Sequence, residues 1–193
     1  PYRNQIKANE ASFFGMIANI DQNLGRLDQY LHQNGLHENT IQIFMADNGT
    51  ASGENGFSAD MRGKKSSLYE GGHRVPFFIR WPDGNIQGGR DVEGLARGTD
   101  LLPTLIDLCK LNLPDGLTFD GLSLADSLQT GQPVSTERVS VIQFGHPNEG
   151  IWGYTAEDQA AVMWQNWRLV KRPRTLQCQH RSGPKQRSVC RTS

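Results

Sequence analysis

Two short stretches of this chain combine residue types that do chemistry. Asp47 and Asn48 close an apolar run and precede Gly49, and Lys64 and Lys65 follow Arg62-Gly63. A carboxylate beside an amide carbonyl offers hard oxygen donors, which suit calcium or magnesium rather than zinc. Two donors cannot hold such a cation alone, so further oxygens must come from elsewhere. The competing reading is that Asp47-Asn48-Gly49 is only a turn. A lysine after a glycine can bring a mobile ammonium to an oxyanion such as sulfate or phosphate. Here the competing reading is a solvated surface loop. Asn48-Gly49-Thr50 is also a glycosylation sequon, and a side chain that holds a buried cation cannot carry a glycan, so the metal reading requires an unmodified Asn48. Neither a Ser-His-Asp order nor a Cys-His pair supplies a nucleophile. Of the lone histidines His73, His146 and His180, only His73 lies in the candidate loop.

The elements that must position these residues follow from periodicity. From about Asn9 to Asn34, Phe13, Met16, Ile17, Ile20, Leu24, Leu27 and Leu31 recur at steps of three and four, the pattern of a helix with one apolar face packed on something flat. Its polar residues, Asp21 and Asp28 among them, read most simply as a solvated face, with a buried polar contact as the second reading for Asp21 beside the stripe, and Gly35 supplies the left-handed residue that ends the helix. The run from Ile41 to Ala46 is β-prone and almost continuously apolar, which predicts an interior strand covered on both faces, as in parallel α/β sheets. Ligand sites in open sheets lie beyond the carboxyl ends of strands, where Asp47 and Asn48 stand. Gly49 to Ser67 is a long polar loop, Tyr69 to Gly72 a turn, and Val75 to Trp81 a second strand ending at Pro82. Asp100 is predicted to cap a short helix, Leu101 to Leu108, with Pro103 in its first turn. Leu111 to Pro133 is turn-rich, with scattered burial points at Leu117, Phe119, Leu122, Leu124 and Leu128. Val139 to Phe144 and Ala161 to Val170 read as strands that pair antiparallel across a glycine-rich turn.

Composition bounds the alternatives. The 193 residues suffice for one sizeable core, and no apolar run reaches the length of a membrane span. The formal net charge is zero, yet all 20 acidic residues precede position 171 and seven basic residues lie from Lys171 onward. Such a tail is either a nucleic-acid arm or a disordered or non-native end. It has no aromatic interleaving and no binding motif, which favours the second and argues against a nucleic-acid partner. Cys109, Cys178 and Cys190 have no metal-type spacing.

Several motifs taken together resemble the second signature region of the sulfatases, in the arylsulfatase branch of the alkaline-phosphatase-like superfamily. They are Asp47-Asn48-Gly49, Gly63 and Lys65 before Leu68-Tyr69-Glu70-Gly71-Gly72, Arg74-Val75-Pro76, and Arg80-Trp81-Pro82. The likeness extends to Ile20-Asp21 and Leu24-Gly25-Arg26-Leu27 upstream, and to Asp100 through Leu105 and Asp120 through Leu124 downstream, so it spans about residues 9 to 170. It implies an α/β fold in which residues 1–133 are the C-terminal part of a sulfatase catalytic domain, 134–171 a small antiparallel subdomain and 172–193 a basic tail.

The resemblance also implies hydrolysis of a sulfate ester on a sulfated small molecule or glycan. Asp47 and Asn48 would carry Ca2+ (or Mg2+) and Lys65 would contact the sulfate. The family's nucleophile, a formylglycine made from Cys or Ser, is expected in an upstream segment, because its motif is absent from the chain. So are the family's N-terminal acidic ligands and upstream histidine, which makes the chain resemble a fragment with half an active site. A phosphonate or phosphate ester hydrolase of the same superfamily and a catalytically silent remnant are the alternatives. Family members are often periplasmic, secreted or lysosomal, and the sequence itself specifies no compartment. If Ile41 to Ala46 loses its neighbours, sheet edges are exposed and the isolated chain is poorly soluble.

Overall fold

A computed structural model of the chain describes residues 7–53, 56–143, 160–172, 175–180 and 187–188. Helix α1 runs Ala8–Gln33, close to the span its periodicity predicts. Gly35 has φ +67°. The Leu36 N–H donates to the Leu31 carbonyl at 2.9 Å and the Gly35 N–H to that of His32 at 3.2 Å, the paired bonds of a Schellman stop. The apolar stripe is largely uncovered, however. Leu31 is 8% exposed, while Met16, Ile17, Ile20, Leu24 and Leu27 remain exposed, and Asp21 is exposed, as expected of a solvated face.

Strand β1, Gln42–Met45, pairs antiparallel with β2, Phe77–Arg80, placing Ile43 opposite Ile79 and Phe44 opposite Phe78. The parallel, doubly covered setting expected for β1 is not what the described residues provide. Ile41, Ile79 and Trp81 pack on the core formed by Ile86, Leu108, Leu124, Ala125, Leu128 and Val134. The aromatic pair Phe44 and Phe78, with ring centroids 6.2 Å apart, remains exposed.

The turn expected at Tyr69 to Gly72 is a single helical turn, α2, Glu70–His73. Helix α3, Leu101–Cys109, follows a 3-10 turn at Gly98–Asp100. Asp100 does not cap α3 through its side chain. Its buried carboxylate instead accepts from the backbone N–H groups of Arg97 at 2.6 Å and Leu122 at 3.0 Å, and from both terminal nitrogens of buried Arg138, Nη1 at 2.7 Å. The Thr104 hydroxyl donates to the Asp100 carbonyl and accepts from the Leu124 N–H. One acid thus ties together three segments distant in sequence. Helix α4, Ala125–Thr130, lies within the span expected to be only turns, and Gly131 at φ +78° ends it. Leu124 and Leu128 are buried as expected, whereas Leu117, Phe119 and Leu122 are exposed.

Among the described residues, five antiparallel strands follow: β3, Val139–Gln143; β4, Ala160–Trp164; β5, Trp167–Arg172; β6, Thr175–His180; and β7, Arg187–Ser188. β3 pairs with β4, and the glycine-rich turn expected between them lies outside the described residues. The single strand expected from Ala161 to Val170 is a hairpin. Trp164 faces Trp167 across Gln165-Asn166, with Gln165 at φ +49°. Chain beyond Lys171, to which the sequence pattern assigns no structure, pairs as β6 with β5.

Burial alone pushes the Asp100 carboxyl up. The hydrogen bonds from Arg138, Leu122 and Arg97 and the guanidinium charge outweigh it and hold the group below its ordinary value of 3.8. Its contribution to stability is therefore complete above that value and is lost as pH falls through the lower folded-state value. Asp100→Ala, which strands Arg138, should cost about 3 to 5 kcal/mol, and replacing both residues with apolar ones should cost less. Urea melts of the single and double variants check both expectations.

Candidate active site

The residues singled out by pattern lie at the end of β1 and in the loop that returns to it. Asp47 is exposed and Asn48 half-buried. The segment does not close a hairpin, since the strand that pairs with β1 begins only at Phe77. The Ala46 N–H donates to the Pro76 carbonyl at 3.3 Å and the Gly49 N–H to the Gly72 carbonyl at 3.0 Å, so pairing with the returning chain continues past the strand end. The Lys65 N–H donates to the Thr50 carbonyl at 2.9 Å. This bond sets the lysine backbone beside the Asp47–Thr50 segment, and the Lys64 and Lys65 side chains are exposed. His73, at the C-terminal end of α2, is half-buried. His146 lies outside the described residues, as do the side chains of His180, Cys178 and Cys190. Cys109 is a free, exposed thiol on α3.

Glycine makes this arrangement possible. A Cβ on Gly49 would lie 1.8 Å from the Gly71 carbonyl oxygen, one on Gly71 2.0 Å from that of Gly63, and one on Gly72 2.1 Å from that of Ser67. Three backbone segments therefore touch without side chains between them. Gly63, at φ +82°, also turns the loop, and the Gly71 N–H donates to the Arg62 carbonyl at 2.9 Å.

The next turn of the same loop is fastened to the C-terminal strands. Tyr69 is buried in a cluster with Ala161 and Val170, and the Arg62 guanidinium carbon lies 3.8 Å from the centre of its ring. Arg168, 1% exposed, donates to the Leu68 carbonyl at 3.1 Å and lies 3.8 Å from Glu70 Oε1. Pattern reading passed over two of these contributors. Thr50, whose hydroxyl accepts the Gly53 N–H at 2.8 Å, carries a local Ser/Thr-turn signal. Arg168 carries none, because its partners are about a hundred positions away in sequence.

This arrangement occurs within a known fold. Over 92% of the chain it superposes, with a TM-score of 0.78 at 21% identity, on 38% of Ps i-CgsB in complex with k-i-k-neocarrahexaose. It likewise matches 32% of BT4656 in complex with its substrate D-glucosamine-2-N,6-O-disulfate, over 85% of the chain, with a TM-score of 0.66 and 23% identity. A phosphonate monoester hydrolase of Agrobacterium radiobacter matches over 88% of the chain and 34% of its own, with a TM-score of 0.62 and 25% identity. The class is therefore the mixed α/β fold of the alkaline-phosphatase-like superfamily.

Within that class, the Sulfatase family profile matches residues 3–111, and the chain belongs to the sulfatase family, a family of hydrolases. An arylsulfatase of Clostridium perfringens is 33% identical over 66% of the chain, and an N-acetylgalactosamine-6-sulfatase of Mus musculus is 32% identical over 72%. The chain spans 25% and 29% of those two relatives, about a quarter of their length.

Gly71→Ala drives a methyl group into the Gly63 carbonyl and should cost roughly 1 to 3 kcal/mol as overpacking. Gly88→Ala, where nothing lies within 4 Å of the added carbon, should change stability little. Denaturant midpoints of the two variants check the contrast.

Proposed function

We propose that this chain supplies the cation-binding and sulfate-contacting part of a sulfuric ester hydrolase centre. In this reading Asp47 and Asn48 are ligands to Ca2+ (or Mg2+), and Lys65 binds a sulfate oxygen of the substrate, a sulfated small molecule or glycan. The observation that carries it is the Lys65 N–H to Thr50 carbonyl bond, which keeps the lysine loop against the segment that bears the two oxygen donors. An exposed carboxylate and a half-buried amide form an all-oxygen donor pair, which fits a hard cation. When bound, such a cation supplies charge neutralisation at the ester. Lys65 adds a mobile ammonium that holds and orients the sulfate, and the fastened Leu68–Glu70 turn keeps the base of its loop in place.

The nucleophile of the family pattern, a formylglycine, belongs to a segment outside these 193 residues, so the chain alone is not catalytically competent. A phosphonate ester hydrolase is the second reading, favoured by the likeness to the Agrobacterium radiobacter enzyme. The sulfated-glycan reading draws on the mouse relative, whose name specifies a sulfated amino sugar.

With water completing a shell to which the chain gives two donors, calorimetric titration at high Ca2+ should detect weak binding that Asp47→Ala abolishes and Asn48→Ala weakens. Lys65→Ala should reduce binding of inorganic sulfate to the Ca2+-loaded chain. The chain alone should release no sulfate from an aryl sulfate. Undiminished Ca2+ binding in Asp47→Ala would remove the ligand assignment, and measurable turnover would show that the centre is complete without a further segment.

A further inference from the structure

At the other end of β1, three side chains form a second candidate cation site that differs chemically from the first. Asp28 and His32 lie one helical turn apart near the C-terminus of α1, and His37 follows the Schellman stop. One ligand atom from each lies within 4.8 Å of the other two. His32 Nδ1 is 3.5 Å from Asp28 Oδ2, and His37 Nε2 is 3.5 Å from Asp28 Oδ1. A tetrahedral ion with ligand bonds of roughly 2.0 to 2.1 Å holds its donors about 3.3 to 3.4 Å apart, and each imidazole nitrogen already lies near that distance from one of the two Asp28 carboxylate oxygens. The two imidazoles lie face to face, with ring centroids 3.3 Å apart and planes tilted by 33°.

The surroundings of His37 admit two ring forms, one of which can ligate. Its side chain is 14% exposed. Its Nδ1 lies 3.0 Å from Glu38 Oε1 and 2.9 Å from Arg80 Nη2. A proton on Nδ1 donates to Glu38 and leaves the Nε2 lone pair directed toward Asp28. An unprotonated Nδ1 accepts from Arg80 instead and puts the proton on Nε2. Arg80 Nη2 is also 4.0 Å from Glu38 Oε1, so the guanidinium can pair with the carboxylate when the first form is adopted. A carboxylate behind a ligating histidine is the arrangement that fixes tautomer and raises ligand basicity at metal centres. The Asp28 carbonyl, 2.9 Å from His32 Nδ1, and the negative end of the α1 dipole add further attraction for a cation, which displaces the proton that nitrogen would otherwise donate.

We infer that Asp28, His32 and His37 bind one borderline divalent cation of the Zn2+, Co2+ or Ni2+ class, with an open position left for water. Two imidazoles and one carboxylate match such ions, in contrast to the all-oxygen pair at Asp47 and Asn48. Bound there, the ion links the end of α1 to the segment that leads into β1.

Titration of the 193-residue chain with Co2+ alone, followed by visible absorption, tests the assignment. One equivalent should give the intense bands of a four-coordinate ion, and Zn2+ should displace it. His32→Gln, at an exposed position, should weaken binding by at least about tenfold. His37→Gln should do the same, and Glu38→Gln should weaken it by about 10- to 100-fold, the range for loss of a carboxylate behind a ligand. Far-UV circular dichroism establishes that each variant is folded. Binding that survives in folded His32→Gln, or that is lost in Asp47→Ala but not in the histidine variants, would overturn the assignment.

Discussion

The candidate active site rests on backbone meeting backbone. The Gly71 carbonyl oxygen occupies space that any side chain on Gly49 would need, and the Gly63 carbonyl occupies the space beside Gly71. With the chain this close, hydrogen bonds form directly between the end of β1 and the returning loop, from Gly49 to Gly72 and from Lys65 to Thr50. The proposed cation ligands and the proposed sulfate-contacting lysine, on different segments, then share one location. Side chains at these glycines would hold the segments apart, and Lys65 would be an ordinary loop lysine.

Two buried arginines extend this order outward. Arg168 reaches the Leu68 carbonyl and the Glu70 carboxylate, so the C-terminal strands brace the signature turn itself. Arg138 meets Asp100 and, through it, the backbone at Arg97 and Leu122. Each of these charges is inside the protein and is compensated by several partners, the condition under which a buried charge is tolerated. Apolar surfaces are less fully covered among the described residues. The α1 stripe and the Phe44 and Phe78 face are exposed, although both have the pattern of surfaces that pack.

Much of this was legible in the sequence because the signals are local. Helix α1 was readable from its stripe and Gly35, and the strand preceding Asp47 and Asn48 from its apolar run. The family was readable because its motifs are short and dense around Lys65. The failures have physical causes as well. Helix α4 contributes only Ala125 and Leu128 to the core, with Leu124 at its N-cap, about one turn of periodicity. The β4–β5 hairpin turns at Gln165, a residue without the usual turn signal, adopting a left-handed φ. Asp100 has the sequence position of a helix cap, but its partners Leu122 and Arg138 come from segments that only folding brings near. The pairing direction of β1 depends on β2, so its own residues could not specify it.

The central claim is that the Asp47–Thr50 segment and the Lys65 loop form one site. Amide resonances followed while Ca2+ and then inorganic sulfate are added test it directly. The account predicts that the amides of Asn48, Gly49 and Thr50 shift together with that of Lys65, along a common saturation curve, with the sulfate response dependent on Ca2+. Independent titration of the two segments, or a Lys65 amide indifferent to both ligands, would contradict it.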